Sequence, residues 1–439
     1  MKKNPLSYWF VAAILLVSIT LGLGTLIFGP SKAGANEQLS RKPKLVEQDG
    51  SWNPNFLSDC ATWFSDHFFL RQELISLDNL ISAKIFETSG SDSVVLGKNG
   101  WLYYADTLDD YAYTNPMSSQ ELFSAANNLA LMAEYCEEKG SKFLFALTPN
   151  KNSLYPENMP DQFVESQSSN RIFLFEQLDA KAVPYVNLFT RFSAEEEILY
   201  FAHDSHWNSK GAALGADLIN AGFGIRSGYY QGDFLKARPY QGDLYSMLYP
   251  AFRDREQDPV YAPGLAFTYT GNGKSPDSIT LETAGTGEGT LLAYRDSFGN
   301  LLYPYLADTF AQAVFSRSTV YDLTGEADFV LIQLVERNLP YLITYVPAVP
   351  SPVRDVSIRE RLDGKITLSA GGKAPTGCIQ LKGKLPEINT GSVFVIGGGI
   401  AYEAFLLKDG GFAVNIPEGA KAENVVYSTA GGQKLLAVQ

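Results

Sequence analysis

Two short stretches hold side chains suited to nucleophilic catalysis. FAHDSHW, residues 201–207, sets Asp204 two positions before His206, and YRDSFGN, residues 294–300, carries Ser297. An acid, an imidazole and a hydroxyl are the parts of an acyl-transfer site: the base takes the serine proton and the acid fixes the base's tautomer. Asp204 and His206 stand at i and i+2, so an extended segment points both to one face. The chain has only three histidines, and His203 and His206 both fall in the first stretch. Ser297 sits where an apolar strand turns into a helical run. That setting exposes a hydroxyl and offers backbone N–H groups to an oxyanion.

Each feature also has a plainer reading. Asp296-Ser297 before an apolar run resembles a helix N-cap, and Asp204 and Ser205 could cap the helix expected near Asn208. His203 competes with His206 as the base, or is a surface histidine. Trp207 reads as core before it reads as a sugar platform. Asn150 and Lys151 follow an apolar strand and are candidates for contacting substrate or an oxyanion; the alternative is a turn after Pro149. Arg337 is a candidate anchor for an anionic group, or half of a surface ion pair with Glu336.

Regular elements must bring these residues together. Residues 55–86 carry apolar side chains at three- and four-residue spacing, from Phe56 and Cys60 to Ile81 and Ile85, and read as one helix. VVLGKNGWLYY, 94–104, reads as a hairpin about Asn99-Gly100. Helical and strand-like runs then alternate: helix 120–139, strand 142–147, helix 169–181, strand 183–188 and helix 209–221. Strand 290–294 with a helical run after it, and strand 327–334, complete the series. This pattern predicts an α/β fold with a mainly parallel sheet flanked by helices, which binds ligands beyond the carboxyl ends of its strands. Asn150, the Asp204/His206 pair, Ser297 and Arg337 all lie after such runs or near them.

Composition bounds the rest. At 439 residues, 45% apolar and 19% charged, the chain is long enough for two or three globular units. A net charge of −13 argues against a nucleic-acid partner, since phosphate attracts basic surfaces. Residues 8–28 carry no charge and are long enough to cross about 30 Å of hydrocarbon. We read residues 1–30 as a retained single-pass anchor with the main domain extracytoplasmic, the alternative being a signal cleaved at Ala33-Gly34-Ala35. Cys60, Cys136 and Cys378 are widely spaced and fit no metal pattern; neither a metal nor a cofactor is expected. Residues 31–348 read as the catalytic unit. After PAVPSP, 347–352, short β runs separated by glycine predict a small accessory β-sandwich over 349–439.

Taken together, these motifs resemble the DHHW-type family, related to the SGNH-hydrolase-like domain of alginate and other polysaccharide O-acetyltransferases. The matching pieces are FSDHFFLRQELI, VVLGKNGWLYY, TPNKNSLYP, HDSHWNSKGA, YRDSFGNLLYPYLADTF and ADFVLIQLVERNL, in that order between about residues 60 and 340. The resemblance implies an SGNH-like fold with Asp204 as acid, His206 as base and Ser297 as nucleophile. Their order, Asp-His-Ser, permutes the usual one, in which serine comes first. It implies transfer of an acetyl group to a polysaccharide hydroxyl through an acetyl-serine intermediate, with a membrane-bound protein passing on the acyl group. An acetyl esterase with the same triad, and a non-catalytic glycan-binding scaffold, are the alternatives. Two positions depart from the family pattern: Ser205 replaces the first histidine of Asp-His-His-Trp, and Arg295 stands where many SGNH enzymes have glycine.

Overall fold

The computed structural model describes residues 5–34, 37–357 and 362–439; Ala35, the end of the small-residue cleavage segment, lies outside them. Helix α1 (Pro5–Phe28) is long and apolar enough to cross a membrane, with a mean hydropathy of 2.5 over Tyr8–Phe28. An apolar signal segment meets the same test.

The single helix expected over 55–86 is two helices, α2 (Phe56–His67) and α3 (Arg71–Ile85). The chain turns extended at Phe68 and left-handed at Leu70, φ 64°. Phe69 accounts for the break. Its N–H donates to Thr25 Oγ1 at 2.8 Å, its ring stacks on Phe28, and a Cβ on Gly24 would come within 2.4 Å of it. Docking on α1 outweighs helix continuity.

The hairpin that follows pairs β1 (Val94–Leu96) with β2 (Leu102–Tyr104). Asn99 and Gly100 both take positive φ, 56° and 83°, which this dipeptide tolerates better than most. Helix α4 (Ser119–Glu138) starts at a capping box made by Ser118 and Glu121. Strand β3 (Lys142–Thr148), helix α5 (Asn170–Ala180), strand β4 (Tyr185–Asn187) and helix α6 (Ser209–Gly222) follow. Next come β5 (Phe234–Pro239), α7 (Asp243–Leu248), β6 (Gln257–Tyr261), β7 (Thr268–Tyr269) and β8 (Thr280–Ala284). Strand β9 (Thr290–Arg295), helix α8 (Gly299–Thr309), β10 (Gln312–Ser316) and β11 (Phe329–Val335) close this part.

Seven of these strands form one sheet in the order β4-β3-β11-β9-β10-β8-β7. From β4 to β10 every neighbouring pair is parallel; β8 is antiparallel to β10, and β7 to β8. Alternate side chains serve opposite faces, as a two-residue period requires. Phe143, Phe145, Val330 and Ile332 join the core beneath α4 and α5, whereas Leu144, Ala146, Leu331 and Val335 join that beneath α6 and α8. Each Phe, Leu, Ile or Val among these, once buried, contributes roughly 1.5–3 kcal/mol of transfer free energy. The sheet thereby holds the ends of β9 and β11 side by side.

Strands lying between residues 353 and 438 build a six-stranded and a four-stranded sheet around a shared core that includes Val393, Val395, Phe412, Val414 and Tyr427. This segment is fastened to α4. Buried Asn128 donates to the carbonyls of Leu342 and Leu406 and accepts the Leu406 N–H, while Arg354 bridges Glu134 and Glu403.

Candidate active site

Ser297 lies two residues past the end of β9, on the turn that opens α8. Asp296 pins this turn. Its Oδ1 accepts the Phe298 N–H at 3.0 Å and Gln333 Nε2 at 3.2 Å; its Oδ2 accepts the Val335 N–H at 2.7 Å and Asn338 Nδ2 at 2.9 Å. Three of these donors, two on β11 and one just after it, tie the serine turn to that strand. Neither Asp296 nor Ser297 caps α8, whose N-cap position is Phe298.

The partner loop comes from the segment before α6. Asn208, not Asp204 or Ser205, caps that helix, accepting the Gly211 N–H at 3.0 Å. Asp204 and His206 are therefore free to face the cleft. His206 Nδ1 lies 2.7 Å from Asp204 Oδ1, and its Nε2 lies 2.8 Å from Ser297 Oγ. An ionised carboxylate only accepts, so Nδ1 carries the proton and Nε2 accepts from the serine hydroxyl. Asp204 Oδ1 also accepts the His206 N–H, and Oδ2 accepts the Asp243 N–H at 2.7 Å and the Tyr240 hydroxyl at 3.4 Å. Trp207 is fully buried, and its Nε1 donates to the Phe298 carbonyl at 3.0 Å, joining the histidine loop to the serine turn.

The charges follow from this packing. Burial pushes the Asp204 carboxyl up, but the His206 charge and hydrogen bond, with the amides of Asp243 and His206, reverse that and hold it at about 2. Burial alone would lower the His206 imidazolium. Asp204, by charge and hydrogen bond, and then Asp243 raise it above the ordinary histidine value, with Arg337 opposing. The base is thus strengthened by its acid.

A cleft of about 810 Å³ opens over Ser297 and His206. Its walls include Tyr104, Tyr240, Asp243, Arg295, Arg337 and Asn338. Arg337 stands over the rings of Tyr104 and Phe298 at 5.3 and 5.5 Å, and among the described residues no carboxylate pairs with it. Arg295 is held along the wall by Asn300 Oδ1 at 2.6 Å and the Pro276 carbonyl at 2.7 Å. Its stem needs the glycine at 299, where a Cβ would come within 2.2 Å of it.

Asn150 and Lys151 do not reach this cleft, which corrects their expected role toward an oxyanion. Asn150 is fully buried; its N–H goes to Glu336 and its Nδ2 to Asp110. Lys151 is buried too, and Nζ donates to the carbonyls of Leu102, Ala202 and Asp204 at 2.6, 2.7 and 2.9 Å. Burial pushes its ammonium down to about 7 against the charges of Asp204, Glu256 and Asp243. Lys151 clamps the Asp204 loop to the hairpin. His203 turns away as well, its Nδ1 2.8 Å from Asp254.

Asp243, Tyr240, Gln333 and Asn338 escaped the sequence reading. Gln333 had a signal, being the one polar side chain within FVLIQLV. Asp243 follows Gly242 at a helix start in a stretch without clear periodicity, and nothing local marks it.

Residues 94–260 match the family described as SGNH hydrolase-like domain, acetyltransferase AlgX. Over 284 residues the chain is 26% identical to the probable alginate O-acetylase AlgJ of Pseudomonas syringae pv. tomato, covering 62% of this chain and 68% of that one. Among solved structures, a DHHW family protein from Eubacterium siraeum is 16% identical, with a TM-score of 0.39 over 49% of this chain and 85% of that chain. The O-acetyltransferase domain of Pseudomonas putida AlgJ is 18% identical, with a TM-score of 0.37 over 56% and 92%. The chain is similar in sequence to the SGNH-like acetyltransferase family, as its motifs implied. The matched segment contains Asp204 and His206 and ends before Ser297.

Proposed function

We propose, from that relationship and the Asp204–His206–Ser297 relay, that this protein is a serine O-acetyltransferase acting on hydroxyls of a cell-envelope or secreted polysaccharide. The relay carries the proposal: two hydrogen bonds, 2.7 and 2.8 Å, connect acid, base and hydroxyl at the floor of a cleft. Ser297 Oγ attacks the acyl carbonyl as His206 Nε2 takes its proton, and Asp204 steadies the imidazolium. The Ser297 N–H, which has no acceptor among the described residues, is available to the oxyanion. His206 returns the proton to the leaving group, and a sugar hydroxyl then resolves the acetyl-Ser297.

In this reading α1 anchors the chain, the domain is extracytoplasmic, and a membrane-bound partner supplies the acyl group. The exposed apolar side chains of α2 and α3, including Leu57, Leu74, Leu77 and Ile85, support a neighbour at or in the membrane. Residues 31–348 form the catalytic unit and 349–439 an accessory one. The polar cleft, flanked by Arg337, suits a hydrophilic chain better than a lipid.

The test is intact mass after incubation with p-nitrophenyl acetate. A gain of about 42 Da, one acetyl on an activated serine, that vanishes in Ser297→Ala is the expected result. Oligosaccharides that then discharge the adduct mark a transferase, and discharge by water alone marks an esterase. A folded protein that takes up no label favours a binding scaffold.

A further inference from the structure

His206 is flanked by two carboxylates. Gly242 lets the second approach: a Cβ there would lie 2.3 Å from the His203 carbonyl, so the start of α7 presses directly on the histidine loop. Asp243 Oδ1 accepts the Ser205 N–H at 2.7 Å, and its Oδ2 accepts the Ser205 hydroxyl at 2.6 Å. That Oδ2 stands 3.6 Å from His206 Nδ1, and the Ser205 oxygen lies 3.2 Å from the same nitrogen. A ring thus runs from Asp204 through His206 and Ser205 to Asp243, and closes through the Asp243 N–H on Asp204 Oδ2. The hydroxyl at its centre belongs to the residue by which this chain departs from Asp-His-His-Trp.

Unlike Asp204, whose side chain is 2% exposed, Asp243 is 25% exposed and lines the cleft. The groups that face His206 are Asp204, Asp243, Ser205, Ser297, the Phe298 ring at 4.7 Å, and Arg337 from the opposite wall. Two negative groups oppose one positive group. Resting on the relay reading above, we infer that Asp243 is a second acid for His206, with the Ser205 hydroxyl between them, and that its charge sets the pH at which His206 becomes a base. Asp243 is a positioning residue, acting through the histidine and not on substrate.

A clamp that merely held the loop would need the Asp243 hydrogen bonds and not its charge; the two roles separate in a titration. The full chain, labelled with ¹⁵N-histidine in detergent micelles, offers only three imidazoles to assign. Asp243→Asn removes the charge and lowers the His206 titration by about half a unit or more, and the acid limb of Ser297 phosphonylation moves with it. Asp243→Glu restores both. Ser205→Ala strips the bridging hydroxyl from Asp243 Oδ2 and moves the titration upward. Folded Asp243→Asn with His206 unmoved overturns the inference. Should Asp243→Asn fail to fold, Ser205→Ala decides alone, and an unmoved His206 overturns it. A wild-type Ser297 that takes no phosphonate, beside an imidazole that still responds to both variants, sinks the acyl-transfer reading and leaves Asp243's hold on His206 intact.

Discussion

Two histidines three residues apart both meet a carboxylate at hydrogen-bonding distance, yet only one belongs to a candidate site. His203 Nδ1 lies 2.8 Å from Asp254, and His206 Nδ1 lies 2.7 Å from Asp204. Around His203 the neighbouring acids are occupied by backbone. Glu256 accepts the amides of Ala202 and His203, and Asp254 accepts that of Glu256. Its ring stands against Tyr245, over a separate groove. His206 instead gives its second nitrogen to a serine hydroxyl in the main cleft. Each cluster brings its ligand-type atoms within 4.8 Å of one another. The partner of the far nitrogen, more than the pairing itself, separates a base from a structural histidine.

The largest effect expected tests that contrast directly. His206→Gln should lower the rate of Ser297 acylation by about a thousandfold or more, as loss of a triad member does elsewhere. His203→Gln should stay within about threefold, since its side chain hydrogen-bonds to Asp254 and to neither Ser297 nor Asp204, and single-turnover labelling measures both. Equal losses would mean that the two pairs work as one unit and would break the comparison.

A smaller effect separates holding the loop from doing chemistry. Lys151 satisfies three carbonyls on two segments, one of them that of Asp204. Lys151→Met keeps most of the apolar stem and removes every donor, leaving buried acceptors unpaired. A loss of about 3 kcal/mol of stability is expected, read from denaturant unfolding. Acylation should fall with it, because the Asp204 carbonyl loses its tether. Unchanged stability would show that water replaces the ammonium and that the clamp is dispensable.

Much of this arrangement was legible in the sequence, and what was not has physical causes. The apolar runs at 142–147, 290–294 and 327–334 correspond to β3, β9 and β11, whose side chains are buried on both faces. Asp204, His206 and Ser297 stood out as candidates because such chemistry needs those residue types near element ends, and His206 lies within hydrogen-bonding distance of the other two. Asn150 and Lys151 were misplaced toward the cleft because a strand end specifies where the backbone is, not which way the next side chains turn. The break at Phe68–Leu70 depends on a long-range contact with Gly24 and Thr25 that periodicity cannot register. Strands Ile400–Glu403 and Gly432–Val438 went unread for a related reason: glycines flank them, and cross-strand partners complete them. Asp243 matters only through loop packing, which no local pattern encodes.

The smallest expected effect concerns the pH at which His206 becomes a base. His206 acts as a base only when neutral, so acylation rises as pH climbs through its folded-state pKa, which Asp204 and Asp243 raise above the ordinary histidine value. The acid limb should therefore lie above that value in the wild type. Linkage gives the matching sign for stability. A raised histidine pKa means the folded chain binds more protons, so the contribution of His206 is full below the unfolded pKa and fades as pH rises through the folded one. Activity and this share of stability should thus change in opposite directions across the same window. Thermal unfolding of wild type and His206→Gln, compared through that window, measures the share directly. A difference that stays flat with pH would mean that the relay does not favour the imidazolium, and that alignment alone distinguishes His206 from His203.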